Sequence, residues 1–285
     1  MRRKLQQQKN KSYTISLPKA WIDKHKLQHK DELHVVDYDD HLLISKKEHN
    51  KPHSKKEITI HDRYTESDIR TILSALYREG HKEIRLHLRH KDPRLISRIY
   101  DYASSFFGVT VTTVRGNTLV ISDINEENEC HVTLKKCFLN VLRMSSHLDI
   151  APKNKKWEQE LVEMYKQIYF LTELVFRLIR IESQVKPVPV IRTYIMAYSL
   201  QWLAELMRRL CEHHGKITKK ITFELHSFLK CVYNLCYKKQ DIAEFNRIKN
   251  NALKKLDLSE YPHINEDIFV IHRVCLKLVM QVMVE

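Results

Sequence analysis

Glycine is the scarcest informative residue in this 285-residue chain, with only Gly80, Gly108, Gly116 and Gly215. Four isolated glycines cannot spell a G-x-G-x-x-G or G-x-x-x-x-G-K-[ST] phosphate loop, and H-E-x-x-H, G-x-S-x-G and kinase signatures are missing too. Nucleotide-dependent catalysis is therefore not expected, and no catalytic residue is assigned; a hydrolase assembled from scattered residues is the competing class. The six cysteines contain no C-x-x-C pair, which argues against a zinc ribbon or a secreted disulfide framework and for buried, reduced thiols. No uncharged apolar run approaches the roughly 18 residues that span a bilayer. The longest candidate, Ile268 to Val284, is broken by His272, Arg273 and Lys277. Met1 to Gln6 lacks the apolar stretch of a signal peptide, so the expectation is a cytoplasmic protein with no membrane insertion.

What the chain has is positive charge, unevenly placed. The formal net charge is +14, and residues 1 to 30 supply +8 of it: nine Lys and Arg side chains against Asp23 alone. Such a concentration is the footprint of phosphate contacts. Charge alone leaves open a solvated basic terminus, or an RNA or membrane-surface patch.

The same region is patterned. Thr14 to Leu17 alternates as a short half-buried strand, Pro18 suits the first turn of a helix, and a helix is expected from Lys19 to about Lys26. Glu32 to Asp37 and His41 to Ser45 read as two strands around an Asp39-Asp40 turn. A piece of about 45 residues with no disulfide or metal staple buries too little surface to stand alone. A partner chain is the natural remedy.

The run Ser12-x-Thr14-Ile15-Ser16-Leu17-Pro18-Lys19-x-Trp21, followed by Leu27-x-x-x-Asp31-Glu32-Leu33, resembles the AbrB/SpoVT type of swapped-hairpin DNA-binding domain. The resemblance covers about residues 2 to 47 and implies that two chains interleave their hairpins into one small β-barrel, a homodimer that binds double-stranded DNA. In that arrangement Arg2, Arg3, Lys4, Lys9 and Lys11 would meet phosphates, while Ser12 and the nearby Gln6 to Gln8 would meet sugar or base edges. The family usually has glycines near positions 9 to 11, at 26 and at 30, where this chain has Lys9, Asn10, Lys11, Lys26 and Lys30. A left-handed backbone at 26 or 30 would cost lysine about 1–2 kcal/mol.

A polar stretch at His49 to Lys56 closes this first domain, taken as 1–48. Beyond it, 56–125 reads as a small βαβαββ domain. Strands are expected at Glu57 to His61, Glu83 to Arg89, Val109 to Val114 and Thr118 to Ile124, and helices at Glu66 to Glu79 and Pro93 to Phe107. Gly80 and Gly108 read as ordinary helix C-caps. The role expected of this domain is dimerisation or sensing.

Residues 127–285 read as all helix, with breaks at Pro152, at Pro187 and Pro189, at Gly215, near Lys238 to Asp241 and at Pro262 giving about six helices. Leu161, Tyr165, Ile168, Leu171, Val175, Leu178 and Ile179 form one core stripe, and Phe269, His272, Leu276 and Val279 lie close to another. Six helices behind an AbrB-like head resemble the PhoU family, and the combination is similar to the archaeal-type phosphate uptake regulator. The fold class is then multidomain α+β: a swapped-hairpin barrel, a βαβαββ domain and an all-α PhoU-like bundle. The resemblance implies a transcriptional regulator of phosphate uptake whose helices sense a signal or dock a phosphate-transport ATPase or kinase. The alternative is a PhoU-like adaptor that does not bind DNA. The family's paired carboxylates are incomplete here, as Glu163-x-x-x-Gln167 and Gln201-x-x-x-Glu205, so no metal or other cofactor is assigned. Cys211-x-His213-His214 is read as a helix terminus rather than a ligand set.

Overall fold

The computed structural model describes residues 3–8, 11–38, 41–46, 55–90, 92–114, 117–123, 129–150, 153–183, 190–212, 217–238, 243, 245–247 and 262–282. The chain divides into two compact units, Met1–Lys51 and Pro52–Glu285.

The first unit contains two hairpins and one short helix. Strands β1 (Gln6–Gln7) and β2 (Tyr13–Thr14) pair antiparallel, with Gln6 opposite Thr14. Helix α1 (Lys19–Lys24) follows, and β3 (His34–Tyr38) pairs antiparallel with β4 (His41–Ser45). Pro18 is the N-cap of α1 rather than its first helical residue; its carbonyl accepts from the amides of Trp21 and Ile22. Apart from Val36, Tyr38, His41 and Leu43, the described residues of this unit are exposed or half-buried.

The second unit carries the hydrophobic cores. Strands β5 (Lys55–Ile60), β6 (Glu83–Leu88), β7 (Val109–Val114) and β8 (Thr118–Asp123) form a sheet in the order β5-β6-β8-β7. The β5–β6 pair is parallel and its crossover is α2 (Glu66–Arg78); the other pairs are antiparallel. Ile84, Leu86 and Leu88 alternate inward along β6, and with Leu73, Leu76 and Ile99 they build one core under α2 and α3 (Pro93–Ala103). The expected element order is found, but α3 ends at Ala103, four residues short of the expected Phe107, and a turn carries the chain to Gly108. Thr65 and Asp68 close a reciprocal capping box on α2, and the Thr65 amide and hydroxyl, both donating to the Asp68 carboxylate, hold it below its usual range.

Among the described residues the helices that follow include α4 (Cys130–Ser145), α5 (Lys155–Ser183), α6 (Val190–Glu212), α7 (Lys219–Lys238) and α8 (Pro262–Val282), and residues 243 and 245–247, between the last two, are also helical. Their ends fall on either side of Pro152, of Pro187 and Pro189, and of Gly215. They share a core that includes Leu161, Ile168, Val175, Ile179 and Val279. Phe269 departs from the stripe expected of α8: it is 55% exposed, with the Arg273 guanidinium over its ring. None of the six cysteines forms a disulfide and five are buried, and burial pushes the thiols of Cys130, Cys137, Cys211 and Cys236 up to about 12.

Helix α5 belongs to both halves of the second unit. Its Leu174 enters the core of the α/β layer, and its fully buried Glu173 accepts two hydrogen bonds from Arg78 of α2, each 2.5 Å. One turn on, buried Arg177 donates to the carbonyls of Tyr77 and His81 at 2.7 and 3.0 Å and to Asp123 at 2.6 Å. Arg177 thus adds a donor to the Tyr77 carbonyl, which also accepts from the Gly80 amide at 3.1 Å, and to the His81 carbonyl just beyond α2. Gly80 follows at φ +83°, and a Cβ there would come within 3.0 Å of Ile181. The C-terminal end of α2 is seated directly on α5.

Candidate nucleic-acid interface

The basic residues singled out in the sequence are carried by the β1–β2 hairpin. Its two strands are held by the Gln6–Thr14 and Gln7–Tyr13 pairs, and by Thr14 Oγ1 donating to the Gln6 carbonyl at 3.4 Å. At the turn, Gln8 N donates to the Ser12 carbonyl at 2.8 Å and Lys11 N to the Gln8 carbonyl at 3.0 Å. Ser12 Oγ donates to Gln8 Oε1 at 3.4 Å. Arg3 and Lys4 lie on the approach to β1, Lys11 and Ser12 at the turn, and all four are exposed. Arg2 and Lys9 lie outside the described residues. The hairpin therefore presents cations at both ends of a short ribbon.

The three left-handed non-glycine residues among those described are Lys11 at φ +66°, Lys26 at +50° and Lys30 at +75°. Each stands where the domain family usually has glycine. Lys26 is the C′ residue of a Schellman closure of α1: its amide donates to the Asp23 carbonyl and the Leu27 amide to the Ile22 carbonyl, both at 3.1 Å. That closure is why α1 stops at Lys24, short of the expected Lys26. Lys30 is the third residue of a turn in which Asp31 N donates to the Gln28 carbonyl at 3.1 Å. The Asp31 carboxylate closes it by accepting from Gln28 N at 2.8 Å. The aspartate of the Leu27-x-x-x-Asp31-Glu32-Leu33 motif is thus a turn clamp. Lys46, just after β4, donates to the His25 carbonyl at 2.8 Å, placing a cation on the open end of α1 and tying the second hairpin to that helix.

The unit's apolar side chains are only partly covered. Leu17, Trp21, Ile22, Leu27, Leu33 and Ile44 are half-buried. Leu5, Tyr13, Ile15, Val35 and Leu42 are 49–64% exposed. Two ribbons and a two-turn helix bring apolar faces together without enclosing them.

In the helical part, the incomplete carboxylate pairs are engaged with cations. Glu163 accepts from Lys166 at 2.7 Å, and Glu205 is gripped by two nitrogens of Arg208 at 2.8 and 3.0 Å, which lowers its pKa. Among the described residues no three His, Cys, Asp or Glu side chains converge as metal ligands. Cys211 is described; His213 and His214 are not. Sequence reasoning missed Glu173 and Arg177, which sit inside a stripe read as apolar; their i, i+4 spacing on a strongly hydrophobic helix is the signal that could have found them.

Residues 6–52 match the family model described as antidote-toxin recognition MazE, bacterial antitoxin. The match supports the N-terminal unit as an AbrB-like swapped-hairpin domain, which suggests a DNA-binding or antitoxin-type regulator. Comparison with curated proteins and with solved structures gave no match. No helix among the described residues is long and apolar enough to cross a membrane.

Proposed function

We propose that this protein is a dimeric, cytoplasmic, non-enzymatic DNA-binding regulator. Two chains would interleave the β1–β2 and β3–β4 hairpins into one barrel. The observation that carries the reading is the pairing of exposed apolar side chains with a basic hairpin. Leu5, Tyr13, Ile15, Val35 and Leu42 face water in the single chain, beside the cations Arg3, Lys4 and Lys11. A second copy covers such faces without adding new sequence, and doubles the positive charge on one surface. Arg2, Arg3, Lys4, Lys9 and Lys11 then contact phosphates, and Ser12 reaches the sugar or base edges.

The second unit serves as the sensing or docking part. Its run of helices behind an AbrB-like head supports the finer reading of a phosphate-uptake regulator addressed by a transport ATPase or kinase. Removal of the protein should then change transcription of phosphate-transport genes; unchanged transcription under phosphate limitation would remove that finer reading. An antitoxin reading is favoured by the description of the matched family model, and it predicts a toxin partner bound through residues beyond the barrel.

The test is duplex binding by the full chain across a salt series. About six neutralised phosphates give a slope of log affinity against log salt near −5. A flat response defeats the reading, and absence of binding at low salt favours the adaptor without DNA.

A further inference from the structure

The second unit has a cleft of about 1030 Å³ between α2, α3 and α5. That is the upper end of the range for small-molecule sites. At one side Arg70 of α2 and Arg98 of α3 converge on a single carboxylate, Glu66, at 2.6 and 3.8 Å. Two guanidiniums on one carboxylate leave a positive charge over. Arg94, which also lines the cleft, stands one turn before Arg98 on the same face of α3. The other charged side chains lining the cleft have partners of their own, which for Asp92 and Asp101 are neutral donors. Asp62 lies 3.2 Å from His90, Asp92 caps α3, Asp101 accepts from Ser97, Arg78 is held by Glu173 and Lys166 by Glu163. The three arginines therefore gather at one side of the cleft, with Glu66 the carboxylate between two of them.

Beside them the cleft is aromatic. The Tyr102 ring lies 5.5 Å from the Arg70 guanidinium carbon, and its hydroxyl sits in a chain with Ser74 at 3.0 Å and Tyr169 at 3.5 Å. Guanidinium forks match the oxygens of a phosphate. A tyrosine face accepts a flat ring, and hydroxyls donate to and accept from a sugar. The volume is far more than inorganic phosphate fills.

We propose that this cleft binds a nucleoside monophosphate, its phosphate on Arg70, Arg94 and Arg98 and its ring against the tyrosine wall. Recognition is by side chains, so it needs none of the glycine loops the chain lacks, and no bond is made or broken. The ligand displaces Glu66 from the arginine pair and bridges α2, α3 and α5. Nothing in it depends on the N-terminal hairpins binding DNA.

The test is calorimetric titration of the full chain at low salt with AMP, GMP, CMP and UMP, and with adenosine and inorganic phosphate as controls. At least one monophosphate should bind saturably, with adenosine and phosphate at least tenfold weaker. The Arg70→Gln, Arg98→Gln pair should weaken it at least tenfold without moving the unfolding midpoint, and Arg94→Gln, tested separately, should weaken it several-fold. Replacing Arg3, Lys4, Lys9 and Lys11 by Ala should leave it unchanged, which separates this site from the basic terminus. No saturable monophosphate binding, or equal affinity in both arginine variants, overturns the proposal. So does loss of binding on removing the terminal cations alone.

Discussion

The two units of this chain solve the same problem, enclosing apolar surface, with opposite success. In Pro52–Glu285 side chains such as Leu86, Ile99, Phe138 and Leu203 are completely inaccessible, and even the ionic groups Glu173 and Arg177 are buried against partners. In Met1–Lys51 five large apolar side chains, Leu5, Tyr13, Ile15, Val35 and Leu42, stand in water, and Leu17, Trp21, Ile22, Leu27, Leu33 and Ile44 are only half-buried. The first arrangement is finished within one chain. The second has the hydrogen bonds of a fold but leaves apolar side chains at its surface, the faces that the proposed dimer would cover. The charged groups follow the same division. Inside the second unit they act as struts, whereas in the first they are left exposed, three of them on backbone that lysine adopts only at a cost.

The largest effect should come from removing a strut. Arg177→Ala removes the guanidinium that holds Asp123 and the carbonyls of Tyr77 and His81, and should lower the stability of the second unit by about 3–5 kcal/mol in urea unfolding. Glu173→Ala should cost less, because Arg78 is part-exposed and can turn to water. If neither variant moves the transition, the struts are ornamental and the contrast fails. Next in size, replacing Arg3, Lys4, Lys9 and Lys11 by Ala should weaken duplex binding by roughly a hundredfold at low salt and flatten the salt slope. The urea transition of the second unit should not change.

Smaller and of opposite sign is the relief of left-handed lysine. Lys26→Gly and Lys30→Gly should each stabilise the first unit by about 0.5–1 kcal/mol, the strain removed being partly offset by glycine's entropy in the unfolded chain. Lys11→Gly should stabilise the hairpin and weaken DNA binding together; a parallel loss of both would contradict the assignment of Lys11. The smallest effect is pH dependence at His226. Burial holds its pKa below the ordinary value, while Ser145 Oγ lies 3.0 Å from Nδ1. The unfolded chain therefore takes up the proton first as pH falls through the histidine range. Stability present above about pH 6.5 is lost below it, and His226→Asn should reduce that loss in urea midpoints measured at several pH values.

Much of this contrast could be read from the amino acids. Alternation in β6 and the turn signals around it located the βαβαββ elements, because a half-buried strand writes its burial at period two. The glycine-to-lysine exchanges correctly marked positions of positive φ, since the Schellman closure at 26 and the turn at 30 are local geometries that neighbouring residues impose. Long-range pairings were not legible. Glu173 and Arg177 meet partners 95 and 100 residues away, at Arg78 and Tyr77, and nothing in α5 itself names them. The convergence of Arg70 and Arg98 on Glu66 likewise requires knowing how α2 packs beside α3. Phe269 misled for the converse reason: helical spacing marks a face, and the neighbouring helices decide how wide the buried part of that face is.

The most direct test of the central claim is the mass of the full chain in sedimentation equilibrium, alone and with Ile15→Asp and Val35→Asp together. A dimer that becomes a monomer in the variant, with the unfolding of the second unit unchanged, is the predicted result. A native chain that stays monomeric at high concentration while its N-terminal hairpins remain folded would contradict it.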